Sequence, residues 1–356
     1  MTVRSLAFSG GVAGLVLAAV ALGASTAASA ESAPAPLPAA TVPPAPEVRL
    51  GADPAAIYTL QDENATLSSS SLTDRYYVNG LRLGYASGTD SVPQFAQDIG
   101  HALYGDGDQR LTFDVTQQIY TPANASARNP PQNDRPYAGV LLANLGVVTD
   151  SDNARSTIQA SFGVVGPWAL GEEIQNGFHD VIGQGHNNGW HTQLHNEPAV
   201  EFLSARTWRL PVAQFAGLET DSLVDASAGV GNVRIYGEGG LQFRLGQGLE
   251  SDFGTPRLRP GISGGDAFKP VRPFAWYVFA GADGQAVARD ITLQGNDFES
   301  SRSVKIKPLV GEFEGGLALM AFGSRLTYTH VLQTQEFQHQ KGGLHQFGSL
   351  ALSVRF

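Results

Sequence analysis

From about residue 55 onward, apolar and polar residues alternate in segments of roughly ten, separated by clusters of Gly, Asp, Asn and Pro. The last segment is the clearest. In GSLALSVRF, Leu350, Leu352, Val354 and Phe356 fall on one face, and Ser349, Ala351, Ser353 and Arg355 fall on the other. Successive side chains of a strand point to opposite faces, so this is a strand with one apolar face and one largely polar face. The same reading predicts strands near 55–64, 76–87, 109–119, 137–149, 155–166, 195–208, 219–229, 234–246, 272–283, 304–321, 323–334 and 345–356. About twelve strands without long helices is an all-β, antiparallel pattern. A soluble sandwich alternates in the same way. A closed transmembrane barrel does so with lipid on one side of the wall and a polar interior on the other, and closure removes exposed edges.

The first thirty residues are set apart from this pattern. Arg4 precedes an apolar stretch at 11–24, and Ala28-Ser29-Ala30 supplies a small-residue cleavage site. These are the features of a secretory signal peptide, 1–30. Residues 31–47 contain six prolines and read as a Pro/Ala-rich linker, so the folded domain is expected over 48–356. An exported chain ending in an amphipathic strand with a terminal aromatic, Phe356, resembles outer-membrane barrels. Such barrels use that end for assembly, which implies the barrel-assembly machinery as a partner. The expected fold is therefore an antiparallel transmembrane β-barrel of about 12 strands in the cell outer membrane.

An even-stranded barrel has both termini in the periplasm. The connections after strands 1, 3 and 5 (65–75, 120–136 and 167–194) then converge on the outer rim. Two long connections fall on the periplasmic side, 88–108 and 247–271, where turns are usually short. Within the first, PQFAQDIGHALYG can form a short helix. Either these are unusual turns or the strand count is off by one.

Composition narrows the chemistry. The 356 residues include no Cys, which excludes disulfides, a thiolate nucleophile and Cys-ligated metals. Acidic residues outnumber basic ones, 33 to 23, which argues against nucleic-acid binding. Four segments carry candidate chemistry. In PWALGEEIQNGFHDVIG (167–183) the spacing is helical, with Pro167 tolerated at the start and Glu172 and Glu173 suited to the first turns. Gln175 and His179 then share one face, and a histidine over the barrel mouth beside a carboxamide can serve as a general base. The plainer alternative is a loop helix with an incidental histidine. Asp180 or Glu172 are the candidates to orient His179. In LTDRYYVNGLRLGY (72–85), Tyr76 and Tyr77 suit an interfacial aromatic girdle. In QQIYTPANASARNPPQNDRPYAG (117–139), Arg128 and Arg135 are candidate phosphate ligands, with a salt-bridged rim as the alternative. In GWHTQLHNEPAVEF (189–202), His191, His195 and Glu197 match no standard zinc spacing.

Taken in order, TDRYYVNGLRLGY, QQIYTP followed by DRPYAG, VGPWALGEEIQNGFH and GWHTQLHNEP resemble the LpxR family, the lipid A 3'-O-deacylases of the Gram-negative outer membrane. The resemblance is strongest over 58–202. It implies a twelve-stranded barrel with a short helix in an extracellular loop. It implies removal of the 3'-linked acyloxyacyl chain of lipid A, with lipopolysaccharide in the outer leaflet as the partner and calcium as the cofactor. It also implies a mechanism in which a histidine activates the nucleophile and calcium stabilises the oxyanion. Carried over residue by residue, the base falls on His179, the glutamine on Gln175 and the loop arginine on Arg128. The family's Asn-Asp pair falls on Asn64 and Ala65, and its strand-2 hydroxyl residue on Val78. Glu63, on the same strand face as Ala65, is the replacement carboxylate, so Glu63 and Asn64 are the expected metal ligands. The departures at Ala65 and Val78 leave two alternatives. One is a family barrel with weak or lost catalysis that binds lipopolysaccharide; the other is a non-enzymatic small channel.

Overall fold

A computed structural model describes residues 51–68 and 75–356. The segments read as signal peptide and linker, and positions 69–74, lie outside the described residues. Twelve antiparallel strands close into a barrel. They are β1 (Ile57–Asn64), β2 (Tyr76–Ala86), β3 (Asp108–Thr121), β4 (Ala138–Asp150), β5 (Ala154–Val165), β6 (Glu197–Phe215), β7 (Leu218–Gly231), β8 (Arg234–Gln247), β9 (Phe274–Asp290), β10 (Leu309–Ala321), β11 (Ser324–Gln333) and β12 (His345–Arg355). Each strand pairs with its neighbours in sequence, and β1 closes on β12 from Ile57↔Arg355 to Asn64↔Gly348. Helices α1 (Gln94–Tyr104), α2 (Gly171–Ile182) and α3 (Ile291–Gln294) lie in connections.

All twelve predicted strands are present. The boundaries move most where the wall extends past the alternating apolar run. β6 continues to Phe215 and β9 to Asp290, while β10 begins only at Leu309. The alternation has the expected meaning. On β1, Tyr58 and Leu60 are exposed, whereas Thr59, Gln61 and Glu63 are buried. On β12, Leu350 and Leu352 face out, and Ser349, Ala351 and Ser353 face in. Phe113, Leu145, Phe162, Phe202, Leu241 and Phe313 continue the apolar outer belt around the wall, as a lipid-facing surface requires.

The strand parity holds, and the long connections are genuine. The start of β1, the end of β12, the 87–107 connection carrying α1 and the 248–273 connection all lie at one rim, the terminal rim. The 248–273 segment turns back and is largely buried inside the barrel. Its charges answer charges on the inner wall. Arg257 donates through Nε to Glu63 at 3.0 Å and through Nη1 to Glu314 at 2.9 Å. Arg82 forks onto Asp266 at 2.5 and 2.8 Å. Asp252 is held by Arg244 at 2.7 Å and Arg325 at 2.9 Å. An unpaired buried charge costs several kcal/mol, so the inward-facing arginines and glutamates of the strands require such partners. The inserted segment bridges the lumen from β1 to β10.

Candidate active site

The site is built on the wall's outer face, at the rim opposite the start of β1 and the end of β12. Leu81 is exposed and pairs with Gln117, and Asn79 pairs with Ile119, so these four positions look outward. The β5–β6 connection folds down over them. Gln117 Nε2 donates to the carbonyl of Ala169 at 3.3 Å. Gly139 of β4 leaves room for Ala169 and Gly171, which a side chain there would crowd. α2 is therefore seated against the outer wall, and His179 does not lie over the barrel mouth. Pro167 opens a separate 3-10 turn (Pro167–Ala169), and Leu170 in left-handed geometry leads into α2 at Gly171.

The helix has two sharply different faces. Gly171, Gln175 and His179, four residues apart, are buried. Ile174, Phe178, Val181 and Ile182 are exposed, with Trp168 and Leu170 beside them. Gly171 allows the close approach, because a Cβ there would collide with the Trp190 ring. Trp190 is fully buried, lies tilted against Tyr137 with ring centroids 4.8 Å apart, and shares an apolar cluster with Val78, Ile119 and Ala125. Val78 is thus a packing residue of this cluster and brings no hydroxyl to it.

Hydrogen bonds to Trp190 and Gly185 orient the polar pair. Trp190 Nε1 donates to Gln175 Oε1 at 2.9 Å. An indole N–H can only donate, so the bond fixes which amide atom faces Trp190 and leaves Nε2 as the donor end. His179 Nδ1 lies 2.8 Å from the carbonyl of Gly185. A carbonyl can only accept, so Nδ1 carries the proton and Nε2 is the basic nitrogen of the neutral ring. The local sequence explains this geometry. Gly183 adopts φ 71°, ends the helix with an N–H bond to the His179 carbonyl, and lets the chain reverse so that Gly185 reaches the imidazole. The orienting group is therefore Gly185, in place of Asp180 or Glu172. Asp180 instead bonds exposed His186 at 2.7 Å.

The other predicted residues are not brought together. Glu63 and Asn64 are neighbours on β1 and face opposite sides of the wall. Glu63 points into the lumen, where its Oε1 accepts from Arg257 and Leu258 N, each at 3.0 Å, and its Oε2 accepts from Tyr77 at 3.1 Å. Asn64 faces out, caps the turn after β1 through Thr66 N at 2.8 Å, and lies 2.8 Å from Asn79. Two ligands on opposite faces cannot converge on one ion, and a guanidinium already occupies the Glu63 carboxylate. This pair does not fit calcium. Among the described residues no group of three His, Asp or Glu side chains is placed to hold a metal. Glu197 bonds Asn296 and Asp297 N, while His195 pairs with Glu299 at 3.6 Å.

Arg128 is exposed on the β3–β4 loop. Arg135 is fully buried, donates to Glu336 at 2.5 Å and to Thr292 at 2.8 Å, and lies 4.4 Å over the Tyr120 ring. It is the salt-bridged structural arginine, not a phosphate ligand. Tyr76 and Tyr77 do not form an aromatic girdle. Both are buried, with hydroxyls bonded to the Lys341 carbonyl and to Glu63, and a bulge between Tyr77 and Asn79 breaks the alternation. The aromatic girdle lies at the terminal rim, where the Tyr58 ring is 5.2 Å from Tyr85 and 5.6 Å from Phe356.

Among solved structures the chain is similar to LpxR from Salmonella typhimurium, with 21% identity, a TM-score of 0.69, and coverage of 85% of this chain and 100% of that one. It also matches the β domain of the Bordetella autotransporter BrkA at 10% identity and a TM-score of 0.43, covering 86% and 100% of the two chains. No curated protein matches the sequence. The family model described as outer membrane protein LpxR matches residues 15–356. With that match spanning almost the whole sequence, the chain belongs to the LpxR family of outer membrane proteins.

Proposed function

We propose that this protein is an outer-membrane esterase that removes the 3'-linked acyloxyacyl chain of lipid A, with His179 as general base. The observation that carries the reading is the position of α2. Its buried face holds an oriented imidazole and carboxamide against the outer wall, and its other face is apolar and exposed. A lipid in the outer leaflet meets such a site laterally, without entering the lumen.

The chemistry follows from the two oriented groups. His179 Nε2 takes a proton from water as that water attacks the ester carbonyl carbon. The carbonyl oxygen becomes an oxyanion, and Gln175 Nε2 is the donor on the helix face that can bond it. When the tetrahedral intermediate collapses, the C–O bond to the sugar breaks. The imidazolium returns its proton to the leaving sugar oxygen, which leaves a carboxylic acid and a free hydroxyl. Gly185 holds the imidazole tautomer through this cycle. Exposed Arg128 is the loop guanidinium offered to a lipid A phosphate. No step passes through calcium, because Glu63 and Asn64 do not form a site for it. Val78 leaves water as the nucleophile, since it offers no hydroxyl. The test is mass analysis of lipid A from an outer membrane carrying the protein. Loss of one acyloxyacyl unit that disappears in His179→Ala supports the reading, and unchanged lipid A beside a folded, inserted barrel opposes it.

A further inference from the structure

The chain carries a second amphipathic helix that the proposed reaction does not use. α1 lies at the terminal rim, and it too packs on the outer wall. Gln109 Nε2, on the outward side of β3, donates to the Gln97 carbonyl at 3.2 Å. Gly100 fits against Gln109 and Thr149, where a Cβ would collide. Ala96 and Val92 pack with Val147, Leu111 and Ile158 of the wall. Tyr104 reaches further round and bonds the Thr157 carbonyl at 3.0 Å and Ser204 Oγ at 2.8 Å. The helix thus crosses β3 to β6 from the outside.

Around α1 the residues divide into three sectors, given ~3.6 residues per turn. Ala96, Gly100 and Tyr104 face the wall. Gln94, Asp98 and His101 form a polar sector, tied by a Gln94 to Asp98 bond at 2.9 Å. Phe95, Ile99 and Leu103 form an apolar stripe that is 64%, 44% and 54% exposed. A helix in water has no use for the third sector, whereas a helix at a membrane surface needs all three.

The height of the wall places this stripe. α1 meets β3 at Gln109, and the α2 connection meets it at Gln117. About eight residue steps of ~3.3 Å, on strands tilted by ~40°, separate these levels by about 20 Å, less than the ~25 Å apolar band of such barrels. Only Phe113 and Val115 of β3 are exposed between the two helices. If α1 stood in water, this side of the barrel would have too short a belt. The stripe is continuous with that belt and completes it.

We infer that α1 is an interfacial membrane helix, with Phe95, Ile99 and Leu103 embedded among the acyl chains of the phospholipid leaflet at the terminal rim. It pins the β3–β6 wall to the leaflet opposite the one that α2 faces. The inference does not depend on any hydrolase activity.

The absence of cysteine makes the test clean. Single variants Ile99→Cys, Leu103→Cys and Asp98→Cys are spin-labelled in the full barrel and reconstituted in phosphatidylethanolamine/phosphatidylglycerol vesicles. Folding is checked by heat-modifiable migration, and positions 99 and 103 are independent reporters. The ratio of collisions with dissolved oxygen to collisions with a water-soluble nickel chelate should be several-fold higher at 99 and 103 than at 98. Nickel access at 99 and 103 equal to that at 98 would place the helix in water and overturn the inference. Low collision with both agents at 99 and 103 would mean that protein covers the stripe, from a second copy or another partner, and would overturn it equally.

Discussion

Replacing Glu63 with alanine separates a structural latch from a metal ligand. Its carboxylate accepts from Arg257 Nε, Leu258 N, Gln61 Nε2 and the Tyr77 hydroxyl. Truncation leaves the Leu258 N–H and the Tyr77 O–H buried without this acceptor, at about 1–3 kcal/mol each. The Arg257 charge is not orphaned, because Glu314 and Glu312 remain at 2.9 and 3.4 Å. The full cost of a broken buried ion pair, ~3–5 kcal/mol, is therefore not added on top. The expected loss for Glu63→Ala is about 3 kcal/mol. For Glu63→Gln, which keeps one acceptor oxygen, it is about 1 kcal/mol. Urea unfolding in phospholipid vesicles, followed by tryptophan fluorescence, reads both. Lipid A deacylation by the fraction that remains folded should be unchanged, since α2 sits on the other side of the wall. An unchanged unfolding midpoint with lost deacylation that added calcium restores would refute this assignment and return Glu63 to the metal site.

Other expectations follow from the same geometry. Trp190→Phe keeps an aromatic ring against Tyr137 but removes the donor to Gln175 Oε1, so deacylation should fall about 10- to 100-fold through misplacement of the amide. Combining it with Gln175→Ala should give little further loss. Arg135→Met should destabilise the barrel by about 3–5 kcal/mol by stranding buried Glu336. Arg128→Ala should leave stability unchanged and raise KM, and the reverse pattern for these two arginines would contradict the placement. In the inserted segment, burial alone would raise the Asp252 carboxyl, but Arg325 and Arg244 outweigh it and hold the group below 3.8. A depressed folded value contributes stability that is present above pH 3.8 and lost as pH falls through the folded pKa. Acid titration of the unfolding midpoint should show this loss below pH 3.8 in the parent and not in Asp252→Asn.

Much of this fold can be read from period-two alternation, because each strand faces lipid on one side and a polar lumen on the other. β12 is the simplest case, since its outward Leu350 and Leu352 and inward Ser349 and Ser353 have no other environment. Alternation fails where a third environment intervenes. Tyr77 sits beside a bulge and turns inward to Glu63, and Tyr76 packs on Leu293 and Phe337 of the rim connections, so their spacing suggests a girdle they do not form. Glu63 and Asn64 are adjacent in sequence, and adjacency on a strand means opposite faces. On β1 this excludes them as a pair of ligands to one ion. The inserted segment was signalled by inward charges on the strands, such as Arg244, Arg325, Glu312 and Glu314, which demand counter-charges inside the barrel. The helical spacing of Gln175 and His179 placed them on one face. It could not show that this face meets the outer wall, or that Trp190 and the Gly185 carbonyl would orient them, because those contacts depend on how the loop folds back.

The most direct test of the central claim is mass spectrometry of hexa-acylated lipid A from outer membranes carrying the parent barrel or His179→Ala, each with calcium supplied. The account predicts loss of one acyloxyacyl unit in the parent. In His179→Ala the rate should fall by ~10²–10⁴ as a general base is removed, with the unfolding midpoint unchanged. Equal deacylation by the two proteins, or none by a parent barrel shown to be folded and inserted, would contradict the assignment of His179 as the base of a lipid A esterase.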